Sequence, residues 1–164
     1  MAAPTVIQGD LHVTGTVTGG SLTPSALTVT NASVSSTAAI AATKLEHQFA
    51  LSYTQNGTAA SATIPLHIAY GAGTIVSIKA ASIAAAVGAA TVTVDLKKGG
   101  TTCLSGVITL DNANTARTSE AGSLSVTTYS ADNFLELVIV ATAGGGTLPT
   151  GLIVTVILRE NAAP

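Results

Sequence analysis

The pattern of apolar and polar positions divides the chain into two unequal parts. From Phe49 onward, apolar and polar residues alternate in short runs broken by Gly, Asn and Asp, as expected of half-buried β-strands. The clearest run is Val92-Thr93-Val94-Asp95-Leu96, in which Val92, Val94 and Leu96 share one face. Read this way, the sequence predicts strands over residues 49–55, 63–70, 75–83, 91–97, 103–110, 123–129, 134–142 and 151–159. Lys97-Lys98-Gly99-Gly100 reads as a hairpin turn and Ala131-Asp132-Asn133 as another. Residues 80–90 are rich in Ala, but Gly88 and the lack of a polar face argue against a helix. Strands at this spacing predict an all-β fold, with a jelly-roll-like β-sandwich over residues 49–164.

Residues 1–43 follow a different rule. Leu11-His12-Val13-Thr14-Gly15-Thr16-Val17 is echoed by Leu27-Thr28-Val29-Thr30-Asn31-Ala32-Ser33-Val34, with Thr, Gly and Ser between sparse apolar positions. This spacing suits short strands turning at Gly and Asn, each offering one or two apolar side chains to a common axis. One copy buries too little apolar surface to offset its ordering entropy, whereas three copies around an axis bury enough. Residues 1–43 are therefore expected to be a short-strand repeat that trimerises and attaches the protein, the alternative being a flexible Thr/Ser/Gly linker. Leu11, Val13, Val17, Leu22, Leu27, Val29, Val34 and Ile40 are its expected interface. Residues 44–48 form an expected joint, with room for one helical turn, before the sandwich of 49–164.

Composition narrows the function. Charged residues are 9% of the chain, against about 25% in ordinary domains. Aromatic residues are 3%, with no Trp. A surface this poor in charge is either coated with Thr and Ser hydroxyls or buried against other chains. A net charge of −2 with six scattered basic residues gives no footprint for nucleic acid. Met1-Ala2-Ala3-Pro4 has neither a basic region nor an apolar core, so no signal peptide is expected. Residues 137–158 carry no charge and could span a bilayer by length. The loop sequence Ala143-Gly144-Gly145-Gly146-Thr147-Leu148-Pro149 at their middle instead predicts two strands, so no membrane partner is expected.

Candidate chemistry is sparse. His12, His47 and His67 share no metal-ligand spacing and are expected at the surface or an interface. Asp95, Asp111, Glu120, Asp132 and Glu136 fall mostly at strand ends and turns, not as a pair in a cleft. Nucleophile-elbow, phosphate-loop and dinucleotide motifs are absent from the sequence. Cys103, the single cysteine, reads as a core filler on a strand. The expectation is a protein that is no enzyme, with no catalytic residues, no cofactor and no metal.

The segments Val92-Thr93-Val94-Asp95-Leu96-Lys97-Lys98-Gly99-Gly100-Thr101-Thr102-Cys103-Leu104-Ser105, Ala121-Gly122-Ser123-Leu124-Ser125 and Asp132-Asn133-Phe134-Leu135-Glu136-Leu137 together resemble a C-terminal module of tailed-bacteriophage virion proteins. In that module a "DLKKNGTT" hairpin precedes "GTLS" and "GDVLEV" strands; Gly99 replaces the usual Asn, a change that a hairpin turn tolerates. The segment from Ala39 to Gln48 resembles the lead-in to the module, and the N-terminal repeat resembles the stacked β segments of phage head and tail fibres. The resemblance implies a head decoration (cement) or head-fibre protein, a homotrimer bound to the major capsid protein on the outer surface of the virion. A tail-fibre or receptor-binding module is the alternative it leaves open, and that role would call for exposed aromatic residues.

Overall fold

The computed structural model describes residues 46–161. The repeat expected at 1–43, its trimeric assembly and its eight interface residues lie outside the described residues. Ten strands follow in chain order: β1 (Glu46–Thr58), β2 (Ala62–Ile68), β3 (Gly73–Ala81), β4 (Thr91–Lys98), β5 (Thr101–Thr102), β6 (Ile108–Leu110), β7 (Glu120–Ala121), β8 (Thr128–Tyr129), β9 (Phe134–Thr142) and β10 (Thr150–Asn161). They form two five-stranded antiparallel sheets. Sheet A runs β1-β10-β3, with β7 and β8 both beside β3; sheet B runs β2-β9-β4, with β5 and β6 both beside β4.

Counting β5 with β6 as one strand position, and β7 with β8 as another, gives sheet orders 1-8-3-6 and 2-7-4-5. Successive strands alternate between the sheets except at positions 4 and 5, which pair within sheet B, and this is the jelly-roll order. The all-β sandwich read from the sequence is the fold observed. Its core lies between the inward faces, with Ile78, Val154, Val156 and Leu158 from sheet A against Val94, Leu96, Leu137 and Ile139 from sheet B. Val, Ile and Leu interdigitate there without any large aromatic ring at the centre.

The turns follow their residue types. Gly99 and Gly100 both take positive φ, 55° and 81°, as a two-residue hairpin between β4 and β5 requires. The uncharged stretch 137–158 falls in two strands, β9 of sheet B and β10 of sheet A, separated by the glycine loop. Residues 80–90 carry no helix: β3 ends at Ala81, and Ala84 and Val87 make isolated bridges to Thr150 and Thr147.

Three expectations need correction. The joint at 44–48 is strand from Glu46 onward, because Glu46, His47 and Gln48 pair with Asn161, Glu160 and Arg159. The strand expected at 103–110 is interrupted. Thr101 and Thr102 pair with β4, the chain then leaves β4, and Leu104 bridges Leu124 before Ile108–Leu110 rejoin β4. The strand expected at 123–129 is broken by the same crossing, leaving β8 at Thr128–Tyr129. Cys103, placed on a strand by alternation, therefore sits in this crossing, fully buried in the core.

Candidate functional site

Two features of the sandwich stand out: a buried polar cluster and a set of weakly charged outer surfaces. The cluster centres on Glu160, near the end of β10 and only 7% exposed. Its Oε1 accepts the Gly71 N–H and its Oε2 lies 2.9 Å from His67 Nε2. His67 reaches it because β2 bulges between Pro65 and His67, so that His67 stands opposite the buried Leu135. Strict alternation would turn His67 outward and Ile68 inward; the extra residue reverses both. The expectation of a surface or interface histidine is thus corrected for His67.

Around this pair lie rings from other strands. Phe49 on β1 meets the His67 ring edge-on at 5.5 Å, and the Tyr129 ring lies 6.5 Å away. Tyr129 belongs to β8, yet its hydroxyl donates to the Arg159 carbonyl on β10 at 3.3 Å. Gly73 on β3 makes that crossing feasible, since a Cβ there would stand 2.5 Å from the tyrosine Cζ. Burial pushes the Tyr129 phenol up to about 12, with the neighbouring Glu160 charge adding to it. Burial also pushes Glu160 up, but the Gly71 N–H, the His67 ring and the Tyr70 N–H together outweigh it and hold the carboxyl below its ordinary value.

Both Glu160 oxygens are thus engaged by groups of the chain itself, and the cluster fastens β2 of sheet B to β1 and β10 of sheet A. Asp95 works similarly on a smaller scale: it is buried and accepts the Thr102 hydroxyl at 2.6 Å, which pins the β4–β5 hairpin. Burial raises the Cys103 thiol, more than the Lys98 charge lowers it. These contacts brace the sandwich. Sequence reading missed the cluster because His67 and Glu160 are 93 residues apart and carry no shared motif.

The outer surfaces look different. On sheet A, Ala50, Ser52 and Thr54 are exposed on β1, beside Ile157, Thr155 and Ile153 of β10. Ser52 Oγ and Thr155 Oγ1 are 2.9 Å apart across the strands. A shallow depression of about 190 Å³ opens at the end of this face, lined by Thr54, Gln55, Asn56, Ile83, Gly151, Leu152 and Ile153. Sheet B carries an opposed pair of charges, with Lys97 opposite Glu136. At one end of sheet B, Ile68 stands opposite Phe134, and the two are 65% and 38% exposed. Tyr70, just beyond β2, is 81% exposed.

No family model and no curated protein sequence matches the chain. A chain in the solved structure titled "Structure of infectious bursal disease virus Gt strain" is 16% identical, with a TM-score of 0.25. That likeness covers 72% of this chain and 37% of the viral one. A TM-score so low carries no argument, and the jelly-roll assignment stands on strand pairing.

Proposed function

We propose that this protein is a non-enzymatic structural component of a virus particle, decorating and stabilising the outer surface of a bacteriophage capsid as a trimer. The observation that carries the reading is the outer face of sheet A. Around β1 and β10 it offers hydroxyl groups, Ala50 and two isoleucines, with Arg159 of β10 and Lys79 of β3 as charged neighbours. Such a face suits broad contact with other subunits, because few charges must be stripped of water when it is covered. A cement protein stabilises a shell by adding buried area, without chemistry, and every buried polar group described above serves the sandwich itself. The phage-like hairpin at residues 92–102 points the same way, and the partners are the major capsid protein and two further copies of this chain.

A specific observation favours a second reading, a tail-fibre or receptor-binding module. Tyr70, Ile68 and Phe134 are exposed at one end of sheet B, where an aromatic platform could stack on a sugar. Purified protein mixed with undecorated capsids of the encoding phage separates the two. Co-sedimentation with capsids, with greater resistance of the shell to heat, is the expected result. Binding to host cells without binding to capsids would replace the decoration reading with the receptor-binding one.

A further inference from the structure

We infer that the free edge of β1 is a self-association site, where β1 of a second copy pairs antiparallel and joins two A sheets into one. The inference does not depend on the virion reading.

The edges of this sandwich are treated unequally. On one long side the short strands are stitched across the two sheets. Leu104 bridges Leu124, the Ser105 N–H donates to the Ser123 carbonyl at 2.9 Å, and the Ser125 N–H donates to the Cys103 carbonyl at 2.8 Å. That side offers little edge to a partner. On the other long side lie β1 and β2. β2 has seven residues and carries both Pro65 and a bulge, two devices that stop an edge from templating a new strand. β1 has thirteen residues, and among the described residues it pairs with β10 alone.

β1 has less protection against pairing: its register shift is confined to one end, between Gln55 and Thr58. From His47 to Thr58 it contains no Pro, Lys, Arg, Asp or Glu. Its alternation is regular: Phe49, Leu51 and Tyr53 are half-buried toward the core, while Gln48, Ala50, Ser52 and Thr54 are exposed. A row of half-buried apolar side chains along a bare edge is completed by one more strand of the same alternation.

A second β1 supplies that alternation. With the two-fold axis at Ser52, Leu51 of one copy stands opposite Tyr53 of the other, Phe49 opposite Gln55, and Ala50 opposite Thr54. Inward residues then meet inward residues, outward meet outward, and no two like charges oppose each other. A partner strand carrying charge would lose this match. The second copy is therefore the occupant to which the edge is suited.

The test uses the full chain and the double variant Ala50→Lys with Thr54→Lys. Both positions are exposed, so the fold tolerates them, and the symmetric pairing would bring each lysine against a lysine of the other copy. Sedimentation equilibrium should show a molar mass falling at least about twofold in the variant, from paired units to single units. Hydrogen exchange on the wild-type chain reads the same edge without any substitution. The β1 amides that do not bond to β10 should become more protected as protein concentration rises. An unchanged mass in a folded variant would overturn the proposal. So would β1 protection that is the same at every concentration, whether high, as when the chain covers its own edge, or absent.

Discussion

The two long sides of the sandwich are closed by different chemistry. The β5–β8 side is closed by the backbone, through the Leu104–Leu124 bridge and the amides of Ser105, Ser125 and Val126. The β1–β2 side is held by side chains, His67 reaching from sheet B to Glu160 in sheet A beneath the Phe49 ring. Backbone closure binds no proton between neutral and acid pH. Closure through a carboxylate does, so one side of the fold is coupled to pH and the other is not. The side closed by side chains is also the one that, among the described residues, keeps a long strand with one neighbour, because side chains clamp the sheets together without occupying the outer edge of β1.

Three substitutions test this contrast. Leu104→Ala, on the backbone-closed side, removes a buried side chain and should cost about 2–5 kcal/mol in urea unfolding, by the same amount at pH 7 and pH 4. A loss below about 1 kcal/mol would mean that the bridge, not the side chain, holds that side. Glu160→Gln, on the other side, leaves the donors around it poorly satisfied and should cost about 1–3 kcal/mol at pH 7. In the folded protein the Glu160 carboxyl lies below its ordinary 4.5, so its contribution is present above that value. As the pH falls, the unfolded chain takes up the proton first, and the contribution is lost through the folded-state value. The gap between wild type and Glu160→Gln should therefore shrink as pH drops below 4.5, while the Leu104→Ala gap stays constant. Parallel acid limbs in all three proteins would break the comparison. Ser52→Ala removes only the exposed hydroxyl pair with Thr155 and should change stability by less than about 0.5 kcal/mol. A larger effect would show that the outer face of sheet A, and not only its edge, is covered in solution.

Much of the architecture was readable from local pattern. Val92, Val94 and Leu96 face the core as their alternation requires, and the Lys98-Gly99-Gly100-Thr101 hairpin follows from residues that tolerate positive φ. The turn at Asp132 follows likewise, with a φ of 65°. Where the reading failed, the cause was a contact between residues far apart in sequence. The bulge beside Pro65 turns His67 inward because Glu160 waits there, and nothing near His67 announces it. The break after Thr102 exists because Leu104 finds Leu124 in the connection between β7 and β8, while the local sequence still reads as strand. Among the candidate surfaces, the low charge was visible in composition alone. Which strand would be left as a bare edge was not.

The sequence by itself determined the period-two alternation, the turns and a low charge, because each depends on side chains a few residues apart. Only the tertiary structure decided which strands became neighbours, that Tyr129 crosses Gly73 to reach β10, and that β1 lies at the rim. Pairing order is a property of the whole sheet: among the described residues β1 acquires its one neighbour only once β10, about a hundred positions downstream, has been laid between it and β3.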